Sequence, residues 1–169
     1  MPETEILDLY DSTGTHVCGT VERGTAAPSG TFLKLTAVMT LRSDGRFLMT
    51  RRAPEKKYAR RWEITGGCVK SGETPLEAAV RELYEETGIQ AEPEELIFCG
   101  TIRRAGYIHT FYLLKSDVDD SVLRMQTGET DAYCWVTTEE YLAMTEAHKT
   151  IPQHIPMIAA AYGTYIGIP

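Results

Sequence analysis

Thr74-Pro75-Leu76-Glu77 opens a helix and Gly88 closes it, and no other stretch of the chain constrains the fold as tightly. A threonine cap, a proline at the first helical position and a glutamate three residues after the cap form a capping box. A glycine beyond the last turn supplies the left-handed residue that ends a helix. A helix is therefore expected from about Pro75 to Thr87. At 100° per residue Leu76, Ala79, Val80, Leu83 and Thr87 share one face, the stripe that packs a helix onto a sheet. Glu82, Glu85 and Glu86 run along the edge of that stripe. Carboxylates three and four residues apart repel, and the last turn of a helix disfavours negative charge by about a few tenths of a kcal/mol each. Stability alone does not select this arrangement. A solvated helix face is the plain alternative. Gly66-Gly67, just upstream, shifts the balance towards a cation site, because a residue without a side chain lets backbone carbonyls approach a ligand. Carboxylate and carbonyl oxygens suit Mg²⁺ or Mn²⁺ rather than zinc.

The stretch from Gly67 to Ile89 resembles the signature of the Nudix hydrolases: glycine, five residues, glutamate, seven residues, Arg-Glu, an aliphatic, any residue, Glu-Glu, any residue, glycine, an aliphatic. Gly67, Glu73, Arg81, Glu82, Leu83, Glu85, Glu86, Gly88 and Ile89 meet every fixed position. The resemblance implies a metal-dependent hydrolase that cleaves the diphosphate linkage of a nucleoside diphosphate derivative by water attack on phosphorus. It implies Mg²⁺ as cofactor, with Mn²⁺ the alternative. Glu82 and Glu86 are then metal ligands, Glu85 a further or near ligand, and the Gly66 carbonyl a backbone ligand. Glu73 and Arg81 are implied to form an ion pair that shapes the loop, and Gly67 and Gly88 to be structural. A diphosphate repels hydroxide, so ions must neutralise it, acidify a water and align its attack. The base is implied either on the helix or on a later loop, where Gln126-Thr127-Gly128-Glu129-Thr130-Asp131 stands before a strand. Glu129 is the first candidate and Asp131 the second, against a merely solvated loop.

Basic residues gather just before the signature, where Arg51, Arg52, Lys56, Lys57, Arg60 and Arg61 supply six of the seventeen Lys and Arg. The lysines suit a solvated loop. Arg51 and Arg52 end the apolar stretch Phe47-Leu48-Met49, and an arginine anchored on a strand can present its planar fork to a substrate phosphate. Substrate specificity is less legible. Tyr58, Trp62, Phe98, Tyr107, His109 and Phe111 are candidates for stacking or hydrogen bonding, with core packing the competing role for Phe98 and Phe111.

Asp-Leu-Tyr-Asp-Ser-Thr-Gly, Val-Glu-Arg-Gly, Phe-Leu-Met-Thr-Arg-Arg and Arg-Trp-Glu resemble the Nudix subgroup related to isopentenyl-diphosphate isomerase, over roughly Leu7 to Trp135. That brings in a rival, a double-bond isomerase. Authentic isomerases resemble one another in a cysteine followed by His-Pro and in metal-binding histidines. Here Cys68 is followed by Val69-Lys70, and Phe32-Leu33-Lys34-Leu35 holds no histidine. Cys68 suits a small apolar filler. A second rival is an inactive sensor of nucleotide derivatives, which would lack a ligand glutamate or carry a DNA-binding domain.

The chain of 169 residues, 43% of them hydrophobic, is the size of one domain. Its net charge of −7 argues against nonspecific nucleic-acid binding and leaves a small phosphorylated substrate as the expected partner. No apolar run reaches the roughly 18 residues of a membrane span, and Met1-Pro2-Glu3-Thr4-Glu5 lacks a basic secretory start, so a cytoplasmic protein away from membranes is expected. Cys18, Cys68, Cys99 and Cys134 form no C-x-x-C pair and suit reduced thiols.

Residues 1–30 are expected to form a hairpin, Ile6–Tyr10 and His16–Glu22, and a Gly/Pro-rich linker. Lys34–Arg42 and Arg46–Arg51 are expected as a second hairpin around Ser43-Asp44-Gly45. Further strands are expected at Leu96–Arg104, Tyr107–Lys115 and Ala132–Val136, and helices at Thr138–Met144 and Gln153–Tyr162. The C-terminal segment 151–169, with Ile155, Ile158, Ala159 and Tyr162 on its apolar face, could cap the sheet, cover the pocket or build a homodimer. Strands on both sides of one helix imply an α/β fold, and the family resemblance implies an α/β/α sandwich around a mixed β-sheet.

Overall fold

The computed structural model describes residues 4–166, so residues 1–3 and the last three of the expected C-terminal segment lie outside the described residues. In chain order the strands are β1 (Ile6–Tyr10), β2 (His16–Glu22), β3 (Leu33–Leu41), β4 (Phe47–Arg52), β5 (Trp62–Glu63), β6 (Thr65–Cys68), β7 (Leu96–Arg104), β8 (Tyr107–Lys115) and β9 (Thr130–Val136). The helices are α1 (Pro75–Thr87), α2 (Thr138–Glu146) and α3 (Ile155–Ile166). No helix among the described residues is long and apolar enough to cross a membrane.

β3 organises the main sheet because alternate side chains along it enter two different cores. Ala37, Met39 and Leu41 face one, with Phe47, Met49, Phe111 and Leu113; Val38 faces the other, with Leu48, Tyr112 and Leu114. β8 runs parallel to β3, from Leu33 opposite Tyr107 to Leu41 opposite Lys115, and β7 runs antiparallel to β8. β6 pairs antiparallel with β3, while β5 and β9 pair antiparallel with β4. The result is a seven-stranded mixed sheet. On one face α1 inserts Ala79 and Leu83 among Val38, Leu48 and Tyr112. On the other, Tyr141 of α2 and Met157, Ile158 and Ala161 of α3 close over Met39, Phe47 and Phe111. The architecture is an α/β/α sandwich.

Both caps of α1 form as the sequence predicts. The Thr74 hydroxyl accepts from the Glu77 amide at 3.2 Å, the Thr74 amide donates to Glu77 Oε2 at 2.8 Å, and Gly88 sits at φ 77°. The buried face is rotated from the expected one, however. Leu76 and Val80 are only partly buried at the edge of the core, whereas Glu82 and Glu86 are 7% and 6% exposed. These two glutamates point inward because β6 lies against the helix and offers glycine there: a Cβ at Gly67 would collide with the Glu82 carboxylate.

Gly66-Gly67 lies in strand β6, and at Gly66 a Cβ would strike the Thr36 carbonyl across the ladder. The hairpin around Ser43-Asp44-Gly45 forms, with Leu41 opposite Phe47 and the Arg42 amide donating to the Arg46 carbonyl at 2.8 Å; β3 then joins β6 and β8 while β4 joins β5 and β9, so the strands splay and open a cleft. One other expectation needs correction. In α3 the buried residues are Met157, Ile158 and Ala161, with Ile155 and Ala159 outward, because a 3₁₀ turn at Pro152–His154 precedes the helix and sets its rotation.

β1 and β2 form a separate two-stranded sheet. Its Asp8 carboxylate accepts from the Ser71 hydroxyl at 2.7 Å and the Gly72 amide at 3.0 Å, which braces the loop that leads into α1.

Candidate active site

A cleft of about 230 Å³ opens where β3 and β4 part, lined by β6, the end of α1 and the loops before β5 and β9. Glu86 and Glu63 are its deepest charged groups, 6% and 8% exposed. Glu86 Oε2 accepts from the Gly66 amide at 3.3 Å. Burial holds the Glu86 carboxyl well above the usual carboxylate range, and the charges of Glu63 and Glu82 add to the effect. Burial also raises Glu63 to about 7, against the opposing pull of Arg52, whose Nη1 donates to both carboxylate oxygens at 2.8 and 2.9 Å. Carboxylates crowded without enough water are stable only as acids or beside a cation.

Arg81 organises the other glutamates of the helix. Its Nε donates to Glu73 Oε1 at 2.7 Å, Nη1 to Glu82 at 2.8 Å and to Glu85 at 3.2 Å, and Nη2 to the Cys68 carbonyl at 3.0 Å. Burial works against the Arg81 charge, but the bonds to Glu73 and Glu82 outweigh it and hold the proton more firmly than usual. Burial raises Glu82, partly offset by Arg81. Glu85, more exposed than Glu82 and Glu86, turns to Arg81 and is not on the lining of the cleft.

The downstream candidates separate. Glu129 lines the cleft and is ion-paired with Lys56. Asp131, two residues on, is held outside by Arg51 Nε at 2.7 Å and by Arg60. Arg51, also stacked 5.6 Å over Trp62, is therefore absent from the lining, whereas Arg52 is on it. The β strand period of two explains the split, since neighbours on β4 point to opposite faces.

Sequence reasoning missed Glu63, Arg23 and His154 as cleft residues, assigned Lys56 to a solvated loop, and named His109 only as a stacking or hydrogen-bonding candidate. Glu63 carried a signal, an acidic residue within the apolar approach to Gly66; His154 carried none. His154 Nδ1 accepts from the Ile64 amide at 3.3 Å, and burial, with His109 and Arg52 nearby, lowers it to about 3. Burial also lowers His109 and raises the Cys68 thiol, so both are neutral. Of the aromatic candidates, Phe111 belongs to the core, Phe98 stands 61% exposed on β7, and Tyr58 and Tyr107 reach an annex of the cleft.

A family model described as the NUDIX domain matches residues 32–160. The chain belongs to the Nudix family. It is 33% identical over 117 residues to the CTP pyrophosphohydrolase of Escherichia coli K12, covering 69% of this chain and 82% of that one. It is 29% identical over 110 residues to the phosphatase NudJ of the same organism, covering 64% and 71%. DR0079 of Deinococcus radiodurans shares the fold with a TM-score of 0.78 at 23% identity, over 94% of this chain and 99% of that one. The Nudix domain of NrtR from Shewanella oneidensis, solved with ADP ribose, does so with a TM-score of 0.65 at 14% identity, over 79% and 88%. The sequence relatives make this chain a Nudix hydrolase, and they lend no support to the narrower likeness to the isopentenyl-diphosphate-isomerase-related subgroup.

The donors of this Nudix cleft match a hard divalent ion in kind. They are carboxylate oxygens at high negative density, next to a glycine whose missing Cβ leaves Glu82 its space. Among the described residues no three His, Cys, Asp or Glu side chains already close around one point. Glu82 and Glu85 are instead ion-paired with Arg81, at 2.8 and 3.2 Å.

Proposed function

We propose that the protein hydrolyses the diphosphate linkage of a nucleoside diphosphate derivative, with Mg²⁺ or Mn²⁺ as cofactor. The observation that carries this reading is one cleft in which the buried carboxylates Glu63 and Glu86 lie beside Arg23, Arg52 and Lys56. Acids alone suit a cation and bases alone suit an anion; a cleft with both suits an ion held against a polyanion. Glu82 and Glu86 would hold the ion with the Gly66 carbonyl, and Glu85, paired with Arg81, would stand near it without coordinating. The bound ion would neutralise phosphoryl oxygens and acidify the attacking water. Arg52 and Lys56 would orient the phosphates, Lys56 leaving Glu129 as it turns to them. The freed Glu129 carboxylate would then accept the proton of the water. Arg51, engaged with Asp131, would position the loop that carries Glu129 instead of binding phosphate.

The test is turnover with Mg²⁺ and with Mn²⁺ on a panel led by CTP and ADP-ribose, with other nucleoside diphosphate derivatives and isopentenyl diphosphate included. Metal-dependent release of phosphate-bearing products is expected. Glu129→Gln should lower the rate by about 10²–10⁴-fold and leave the fold intact. Wild-type turnover in that variant would reassign the base, and isomerisation of isopentenyl diphosphate with no hydrolysis elsewhere would overturn the whole reading.

A further inference from the structure

A wider cavity of about 480 Å³ opens off the acidic cleft and shares Arg52, Glu63, His109 and His154 with it. The chain as a whole carries a net charge of −7, yet the lining of this annex holds Arg52, Lys57 and Arg104 against a single acid, Glu63. Glu63 is already engaged, since Arg52 Nη1 donates to both of its carboxylate oxygens at 2.8 and 2.9 Å. Lys57 and Arg104 are left over. Neither side chain is ion-paired or hydrogen-bonded to another described residue, and the Lys57 ammonium lies 5.2 Å from the centre of the Tyr58 ring.

Local structure holds both cations at the annex. β7 and β8 are joined by the two residues Ala105 and Gly106, at φ 47° and 82°, the positive angles that a tight hairpin requires. That turn sets Arg104 directly opposite Tyr107, and His109, two residues further along β8, shares their face. The Arg104 charge is felt inside the cavity: after burial, it is what lowers His109. Lys57 sits on a loop that Arg52 pins, its Nε donating to the Lys57 carbonyl at 2.6 Å. An anion reaching this lining meets two cations with no acid to displace, whereas the neighbouring cleft must offset Glu63, Glu86 and Glu129 before a phosphate can enter. A phosphate monoester matches the annex in charge, about two negative charges against two unpaired bases, and its oxygens suit an arginine fork and an ammonium. A carboxylate would leave one base unmet.

We propose that the annex binds a second phosphate of the substrate, a monoester set apart from the diphosphate that is cleaved, and that Lys57 and Arg104 select for it. The assignment rests on the hydrolase reading of the adjoining cleft and narrows its substrates to nucleoside diphosphate derivatives that carry a further phosphate on a ribose. It is tested by binding rather than turnover: calorimetric titration of the protein, in a chelator, with coenzyme A against dephospho-coenzyme A and with NADP⁺ against NAD⁺. Each pair shares a diphosphate and differs by one ribose phosphate. In at least one pair the phosphorylated member should bind about 10-fold more tightly. Lys57→Gln and Arg104→Gln should each reduce that ratio to about 3, and the double variant should bring it to about 1. Arg103→Gln removes the same charge from the opposite face of β7 and should leave the ratio unchanged. Lys57, Arg103 and Arg104 are exposed, so the variants should melt with the wild type. Ratios near 1 in both wild-type pairs, no binding of any of the four, or a preference that survives in the double variant would overturn the proposal. An equal loss in Arg103→Gln would overturn it too, because general charge and not a site would then be responsible. Phosphate preference without hydrolysis of any nucleotide would leave this assignment standing and remove the hydrolase reading; hydrolysis without that preference would do the reverse.

Discussion

Two walls of the cleft bury titratable groups by opposite means. The wall made by α1 and β6 collects carboxylates, and burial drives Glu82 and Glu86 towards their acid forms. The wall made by β8 and the turn before α3 presents imidazoles, and burial drives His109 and His154 towards their neutral forms. Loss of water penalises charge of either sign. The difference is that the histidines reach a comfortable state by losing a proton to solvent, whereas the carboxylates reach one by keeping a proton or by meeting a cation. Chemistry is therefore expected to reside in the acidic wall and recognition in the neutral one.

The largest expected effect tests that division directly. Glu86→Gln should lower metal-dependent turnover by at least about 10²–10³-fold, while His154→Gln should cost less than about 10-fold in kcat and act mainly on KM. Steady-state kinetics on both variants would show it. Equal losses would mean that the two walls share the chemistry.

The same contrast explains what the sequence could disclose. The acidic wall is almost contiguous in the chain, from Gly66 to Gly88, and its capping box, glycines and glutamates carry their meaning at fixed spacing. The ends of α1, β1, β2, β7 and β8 were likewise legible, because turn residues and alternating apolar runs bound them. The neutral wall is assembled from His109 and His154, which lie 45 positions apart and meet only because β8 runs parallel to β3 and the turn at Pro152–His154 packs against β5 and β6. Nothing local marks His154, and His109 was legible only as a hydrogen-bonding candidate on a strand. The inward turn of Glu82 and Glu86 was hidden for a related reason: amphipathic periodicity ranks carboxylates as outward, and only the glycine strand opposite them reverses that order.

Gly67 is accordingly the next place to probe. Gly67→Ala places a methyl group against the Glu82 carboxylate, which Arg81 holds in position, so the helix or β6 must shift. Overpacking of this kind should lower stability by about 1–3 kcal/mol in a denaturant titration. An unchanged midpoint would show that Glu82 moves freely and that the acidic wall is softer than its hydrogen bonds suggest.

Opposite pH slopes should distinguish the two walls in stability. His154 has a folded value of about 3 against an ordinary 6.5, so below pH 6.5 the unfolded chain binds a proton that the native protein refuses. Its contribution is complete above 6.5 and is lost as pH falls towards 3, by up to about 1.4 kcal/mol per pH unit. Glu63, raised to about 7 from 4.5, works the other way: the native state retains the proton, and stability is lost as pH rises from 4.5 through 7. Melts of the metal-free protein at pH 5 and pH 8 should show His154→Gln losing less than the wild type on acidification. Glu63→Gln should lose less on going to pH 8.

The smallest effect expected comes from Glu85, and it sets a boundary within the acidic wall. Glu85 and Glu86 are adjacent in sequence, yet 100° around the helix separates them, and only Glu86 lies on the lining of the cleft. Glu85 is committed to Arg81 near the surface, and an exposed i,i+4 pair contributes about 0.3–0.5 kcal/mol. Glu85→Gln should therefore change stability by less than about 0.5 kcal/mol and turnover by less than about 10-fold, provided the ion is held by Glu82 and Glu86 alone. A loss approaching that of Glu86→Gln, with the melt unchanged, would show that Arg81 releases Glu85 when the ion binds and that the working site is assembled by that exchange.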